Sequence, residues 1–211
     1  MRRLGFMIET EALNTLRVAI NQYCIQEGRF PISDGNFVSS WIDLYPLTCS
    51  RKMMSKLTNA LSTKLFTRPW KFEFIAGKEL HGTLLASSLI NKCSWLDSDL
   101  VIVRKEDNIV KTPYRLYNTD FVIEEHIKYE MNRTDKLTQP PRVPFDCILV
   151  DEVISSGVNM ESSIEYLLNK GFRVNGVLSV VYRGGGAKEK AESRGIPFDY
   201  LYEIPEELIC P

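Results

Sequence analysis

The chain has 211 residues, of which 44% are hydrophobic and 25% charged, and its 26 basic and 27 acidic residues leave a net charge of −1. This composition is typical of a globular protein, and the balanced charge argues against direct nucleic-acid or membrane binding. Five cysteines without a C-x-x-C pair argue against a disulfide framework or a zinc site, and no apolar run or signal-peptide pattern is present, so we expect a cytoplasmic protein.

The first 69 residues predict two helices around a short hairpin, which we call the hood. Apolar residues at helical spacing predict a helix over 9–27 that ends at Gly28. Two short apolar pieces within 30–43, joined by Ser33-Asp34-Gly35, predict paired strands. A second amphipathic pattern predicts a helix over 51–65.

A strand predicted over 71–76 leads into the loop from Gly77 to Gly82. Its spacing, G-x-x-x-x-G-T, is close to a nucleoside triphosphate loop, but Thr83 stands where that motif requires lysine. The loop amides and Lys78 favour binding of an anion at the start of the following helix. His81 is a second candidate, although a lone histidine near a helix start is more often a structural residue.

The next predicted strand, 99–103, ends in Arg104 and Lys105. These two cations either bind an anion or are solvated surface charges. A long segment without glycine, residues 107–144, separates them from the following strand. Long insertions in compact domains often have a function, so this segment is a candidate contact for a protein partner.

Residues 147–159, CILVDEVISSGVN, combine a buried strand, the acids Asp151 and Glu152, a small turn and a helix start. The turn amides and the positive end of the helix favour a phosphate, and the acids favour the hydroxyls of a ribose. The alternative is a strand end with solvated acids and an ordinary turn. The candidate phosphate residues are Ile154, Ser155, Ser156, Gly157, Val158 and Asn159.

Beyond the helix that follows, a predicted strand over 173–183 ends in Arg183, and a helix over 187–195 and a strand over 198–204 complete the pattern. Strands separated by helices predict an α/β fold with a central parallel, twisted sheet flanked by helices. Ligands of such sheets bind at the carboxyl ends of the strands, where all these candidate loops fall. We therefore predict a single domain, 1–211, with the hood at 1–69 and the α/β core at 70–211.

The string CILVDEVISSGVN resembles the phosphoribosyl pyrophosphate (PRPP) signature of type I phosphoribosyltransferases. The order of Gly77 to Gly82, the tripeptide RKE at 104–106 and the PRPP turn resembles the orotate phosphoribosyltransferases of that family. The resemblance implies the α/β fold with its hood, a homodimer, and Mg²⁺ bound with PRPP. It also implies catalytic roles for Asp151, Glu152, Arg104 and Lys105, PRPP contacts from Gly77, Lys78, His81, Gly82 and residues 154–159, and base contacts from Arg183, Ile32 and Ser33.

Some positions depart from the orotate pattern, since Ser33, His81 and Asn108 stand where that family has lysine and Tyr182 replaces an aspartate. The glycine-containing mobile loop of the family is also missing from 107–144. Two functions therefore remain as alternatives. One is phosphoribosyl transfer to a nucleobase, with an orotate-like base as one acceptor, and the other is a non-catalytic regulatory protein that binds PRPP or a nucleotide.

Overall fold

The computed structural model of the chain describes residues 2–31, 37–78, 80–93, 95–96, 98–105, 114–117 and 144–204, without the side chains of residues 2–10, 31, 104–105 and 114–117. Its elements follow one another along the chain as α1 (Arg2–Tyr23), β1 (Ile25–Pro31), β2 (Phe37–Ile42), α2 (Tyr45–Thr48), α3 (Arg51–Thr67), β3 (Phe74–Lys78), α4 (His81–Lys92), β4 (Asp99–Lys105), β5 (Tyr114–Tyr117), β6 (Phe145–Ile154), α5 (Val158–Asn169), β7 (Phe172–Tyr182), α6 (Ala187–Ser193) and β8 (Phe198–Glu203).

The main sheet has the strand order β5-β4-β3-β6-β7-β8. Strands β4, β3, β6, β7 and β8 pair in parallel, and β5 adds an antiparallel edge. The first seven residues of β6 are all buried, as expected for a strand that is covered on both faces. The predicted α/β fold with a parallel sheet flanked by helices is confirmed.

Two apolar clusters cover the two faces of the sheet. One joins hood residues such as Leu16 and Leu61 to Leu85 of α4 and Ile148 of β6. The other packs Ile164 of α5 and its neighbours against the opposite face. The helices therefore bury both faces of the sheet, and the loops at the strand ends are left to form a site.

The hood contains an antiparallel pair of strands, β1 and β2, in which Ile25 lies opposite Ile42. The predicted pairing is thus confirmed, but the predicted helix over 9–27 is wrong at its end. Helix α1 begins earlier, at Arg2, and ends at Tyr23, because the chain then turns into β1. Cys24, which lies between the two elements, accepts a hydrogen bond from the Asp43 amide (2.9 Å). The division into hood and core remains a prediction.

The strand before the first glycine loop begins and ends later than 71–76. Strand β3 includes Gly77 and Lys78, which pair with Ile102 and Val103 of β4. Both residues are therefore held by the sheet and do not belong to a loose connection. In the part of the chain that the structure describes, no helix is both long enough and apolar enough to cross a membrane.

Candidate functional site

The two acids of the PRPP-like stretch lie inside the final residues of β6. Asp151 is buried and Glu152 is half-buried. The chain then passes through a turn in which the Ile154 carbonyl accepts a hydrogen bond from the Arg183 amide (2.9 Å) and the Ser155 carbonyl accepts one from the Ala187 amide (3.2 Å). The end of β7 and the start of α6 therefore hold this turn in place.

The turn leads into the amino end of α5 through Gly157, whose φ of 79° is in the left-handed region. Intrahelical bonding begins with the Glu161 amide, which donates to the Gly157 carbonyl (2.8 Å), so the preceding amides point out of the helix end. This end can receive a phosphate. The turn residues Ser155, Ser156, Val158 and Asn159 are exposed there, whereas Ile154 is buried.

One acid, Glu161, lies in the first turn of α5, close to the proposed phosphate position. Its carboxylate lies 3.1 Å from Lys190 Nζ and 3.5 Å from Arg194 Nη2, both of which follow the start of α6. These cations offset its charge, so Glu161 does not oppose an anion at the helix end. The turn therefore keeps its positive character.

The first glycine loop packs closely against the acid-bearing strand. A Cβ atom at Gly77 would lie 2.6 Å from the Gly82 carbonyl oxygen, and one at Gly82 would collide with the Val150 carbonyl oxygen. Glycine is required at both positions because the start of α4 lies directly against β3 and β6. Strands β3 and β6 also pair side by side, with Gly77 opposite Val150, so the first loop and the two acids lie at the same end of the sheet.

Lys78 lies at the end of β3 and faces Asp151, with 3.8 Å between Lys78 Nζ and Asp151 Oδ2. Asp151 Oδ1 accepts a hydrogen bond from the Glu152 amide (2.9 Å). Burial raises the pKa of Asp151 to about 6, against the opposing effect of the Lys78 charge. The ionised form of Asp151 is therefore only partly stabilised by its surroundings.

His81 is the first residue of α4 and is 7% exposed. Its Nδ1 contacts Glu152 Oε2, and its ring packs against the Tyr45 ring in a T-shaped arrangement with 3.9 Å between the centroids. Burial lowers the pKa of His81, whereas the charge of Asp43 acts in the opposite direction. Sequence reasoning missed Tyr45, although Asp43 followed by Tyr45-Pro46 is a helix-start signal that could have placed it near this loop.

Arg183 follows β7 and joins the hood to the sheet. Its Nη2 donates to the carbonyl and the hydroxyl of Ser40, each at 3.4 Å. Ser40 was not singled out from the sequence, and its only signal is its inward position in the alternating pattern of β2. Ile32 and Ser33, predicted to contact the base, lie outside the described residues.

The second pair of predicted cations is placed only by its backbone. Arg104 and Lys105 are the last residues of β4, next to the position where Val103 pairs with Lys78. Their side chains lie outside the description, as does most of the predicted insertion 107–144, including Asn108. Of that insertion, the structure describes the strand β5 at 114–117 and residue 144.

The described residues thus bring Lys78, His81, Asp151 and Glu152 together at neighbouring strand ends, with the α5 turn and Arg183 next to them along the same sheet edge. Hydroxyl groups of a sugar can donate to the two carboxylates, and a phosphate fits the helix end. The arrangement can therefore hold a sugar phosphate beside a cation.

A comparison of the sequence with models of known protein families finds no match. Orotate phosphoribosyltransferase of Pyrococcus furiosus is 26% identical over 194 residues, which cover 90% of this chain and 93% of that protein. Adenine phosphoribosyltransferase of Maricaulis maris is 30% identical over 139 residues, 64% of this chain and 73% of that protein. The structure of orotate phosphoribosyltransferase from Aeropyrum pernix matches with a TM-score of 0.65 and 22% identity, covering 90% of this chain and 93% of that one.

Proposed function

The chain belongs to the type I phosphoribosyltransferase family, and on this premise we propose that it transfers the phosphoribosyl group of PRPP to a nitrogen of a nucleobase and releases pyrophosphate. One observation carries the proposal. Asp151 and Glu152 lie at the end of β6, directly before the amino end of α5 and beside Lys78. A ribose 5-phosphate presents the complementary groups, hydroxyl donors for the two acids and phosphate oxygens that accept from the amides at the helix end.

In this proposal, the 5-phosphate is bound by the turn at 154–159 and the ribose hydroxyls donate to the two acids. The pyrophosphate then extends toward Lys78 and the end of β4, where Arg104 and Lys105 follow. Gly77 and Gly82 let the backbone of the first loop come close to it. We expect Mg²⁺ to enter bound to PRPP, with carboxylate oxygens nearby, the ligand type that this ion prefers.

The chemistry that falls to the protein is mainly positioning. Displacement of pyrophosphate develops negative charge on the leaving group, and fixed cations such as Lys78 lower the energy of that state. Removal of one such cation is expected to reduce the rate about 10²-fold. The acids orient the ribose so that its anomeric carbon faces the acceptor.

The acceptor is proposed to lie beside Arg183, next to the place where this residue contacts the hood. Arg183 is held by Ser40 of β2, so a donor-rich side chain lines the space where a base would approach. Guanidinium groups bind carbonyl and carboxylate groups, which favours an orotate-like base. Curated relatives are named as orotate and adenine phosphoribosyltransferases, and both base types belong in the test.

Binding of PRPP is tested by thermal unfolding of the purified chain with and without Mg²⁺-PRPP. A ligand that binds only the folded state raises the melting temperature. We expect a rise for the wild-type chain and none for Asp151→Asn with Glu152→Gln. An unchanged melting curve of the wild-type chain at millimolar PRPP would contradict the proposal.

The alternative, a regulatory protein that binds PRPP without turnover, is favoured by one observation. His81, where the orotate pattern has lysine, contacts Glu152. Release of pyrophosphate with a panel of nucleobases separates the two functions. Turnover with any base supports the transferase, whereas PRPP binding without turnover supports the regulator.

A homodimer and a protein partner for residues 107–144 are further expectations, which light scattering and affinity capture would test.

A further inference from the structure

His81 is enclosed by three different elements at the centre of the site. It begins α4, its Nδ1 contacts Glu152 of β6, and its ring meets Tyr45 of α2 edge-on, at an interplanar angle of 86°. With 7% of its surface exposed, the side chain has little room to turn. The position is therefore a fixed one.

The backbone segment that carries the Tyr45 ring is itself anchored. The Tyr45 amide donates to Asp43 Oδ1 (2.9 Å), and Tyr45 opens the short helix α2, whose Leu47 is buried. The hood therefore supplies a ring contact to His81, in addition to the Glu152 contact that comes from the sheet.

The chemistry of the contact defines which nitrogen carries the proton. An ionised carboxylate only accepts hydrogen bonds, so Nδ1 of His81 must be the donor. Burial lowers the pKa of His81, which favours the neutral ring, and a neutral ring with Nδ1–H has Nε2 as an acceptor. This arrangement is that of a residue that orients a carboxylate.

Resting on the proposed function, we propose that His81 is a positioning residue for ribose binding: it fixes Oε2 of Glu152 so that Oε1 is directed at a ribose hydroxyl. The same residue was a candidate for pyrophosphate contact. The two roles differ in the part of PRPP that loses affinity when His81 is changed. Ribose 5-phosphate and inorganic pyrophosphate, each with Mg²⁺, represent the two parts.

Two substitutions separate the donor from the bulk of the side chain. In His81→Asn, the amide nitrogen is as many bonds from the backbone as Nδ1, so it can still donate to Glu152. In His81→Leu, a side chain of similar size has no donor. We expect His81→Leu to weaken ribose 5-phosphate binding about five- to tenfold, because one hydrogen bond is lost, and His81→Asn to recover most of it. Neither variant is expected to change pyrophosphate affinity more than about twofold.

Titration calorimetry measures both ligands. The proposal is overturned if His81→Leu weakens pyrophosphate and leaves ribose 5-phosphate unchanged, or if His81→Asn is no better than His81→Leu. Melting curves without ligand check that both variants fold. If the wild-type chain binds neither PRPP nor ribose 5-phosphate, the proposed function fails and this inference fails with it.

A ligand-free measurement tests the contact by itself. The chain has two histidines, so a single substitution assigns their signals in long-range ¹H–¹⁵N NMR spectra. We expect neutral His81 to be protonated at Nδ1 in the wild-type chain and to shift toward the Nε2–H form in Glu152→Leu. An Nε2–H form in the wild-type chain would overturn the positioning role even if PRPP binds.

Discussion

Two buried aspartates lie two strands apart in the sheet, Asp151 on β6 and Asp199 on β8, and the fold treats them differently. Asp199, at the start of β8, is 7% exposed and contacts Lys64 Nζ (3.0 Å), Arg68 Nη2 (2.6 Å) and the Tyr200 amide (2.8 Å). Asp151, near the end of β6, is 8% exposed. The Glu152 amide lies 2.9 Å from Asp151 Oδ1, and Lys78 Nζ lies 3.8 Å from Asp151 Oδ2.

The difference appears in their pKa values. Burial alone would raise the pKa of Asp199, but hydrogen bonds from Lys64, the Tyr200 amide and Arg68 hold it below its ordinary value. For Asp151, burial prevails over the Lys78 charge and raises the pKa to about 6. One carboxylate is thus satisfied by the fold and joins α3 to β8. The other still has capacity for further donors, which ribose hydroxyls would supply.

The largest effect is expected for Asp151→Asn. Loss of the charged acceptor should weaken Mg²⁺-PRPP binding by about 10- to 100-fold, since hydrogen bonds to charged groups contribute about 1.5–3 kcal/mol. The ligand-free melting temperature should not fall at pH 7.5, because a neutral amide avoids the burial of a charge. Calorimetry and thermal unfolding measure the two quantities. Unchanged PRPP affinity would remove Asp151 from the site.

Asp199→Asn should reverse this pattern. The substitution leaves Lys64 and Arg68 without their carboxylate, although both side chains are exposed enough to recover water contacts. We expect stability to fall by about 1–2 kcal/mol, or roughly 3–6 °C in melting temperature, with PRPP affinity unchanged. Glu165→Gln is the matched control, because its ion pair with Arg194 is at the surface and should contribute less than about 0.5 kcal/mol. Equal losses in both variants would contradict the structural role of Asp199.

The two aspartates also differ in how far their surroundings could be predicted from the sequence. Asp151, Glu152 and the turn before α5 are neighbours in the chain, so local patterns of strand, acid and turn identified them together. The contacts of Lys64 with Asp199 and of Arg183 with Ser40 join residues 135 and 143 positions apart. No local pattern encodes such pairs, because they depend on how α3 and the hood pack against the sheet.

The predicted ends of α1 and β3 are wrong for a related reason. Gly28 was expected to end the first helix, but pairing of β1 with β2 ends it at Tyr23. Gly77 and Lys78 were expected to follow β3, but pairing with β4 includes them in it. Strand pairing overrides the local preference of glycine for turns in both places. The order of elements could be predicted because apolar periodicity does not depend on such pairing.

The two aspartates should also differ in how their contributions to stability depend on pH. Because the folded-state pKa of Asp151 is raised to about 6 from 3.8, its stabilising contribution is greatest below about pH 4 and is lost as the pH rises through 6. Asp199, with a lowered pKa, contributes above about pH 4 and loses its contribution as the pH falls further. Asp151→Asn should therefore melt higher than the wild-type chain at pH 7.5 and equally at pH 4.

Binding should follow the same titration. At pH 5, only about one Asp151 side chain in ten is ionised, so PRPP affinity should be about tenfold lower than at pH 7.5. The ligand phosphates also titrate in this range, and Asp151→Asn serves as the control for that contribution. Calorimetry at both pH values should give a larger loss for the wild-type chain than for this variant. Equal losses would mean that Asp151 does not titrate in contact with the ligand.

The smallest effect concerns the support of the phosphate turn by the glycines after Arg183. Gly185 and Gly186 have similar positive φ values, 79° and 89°, so alanine should strain the backbone at both by about 1–2 kcal/mol. Their surroundings differ, since a Cβ at Gly185 would lie 3.1 Å from Ser155 C and Ser156 N, whereas nothing lies within 4 Å of one at Gly186.

Only Gly185→Ala should therefore press on the turn that receives the phosphate. We expect both variants to lose similar stability, but only Gly185→Ala to weaken ribose 5-phosphate binding, by about threefold, which corresponds to roughly 0.6 kcal/mol. Inorganic pyrophosphate should bind both variants as it binds the wild-type chain, because its proposed position lies across the site beside Lys78. Equal ribose 5-phosphate affinities of the two variants would show that this turn does not bind the phosphate.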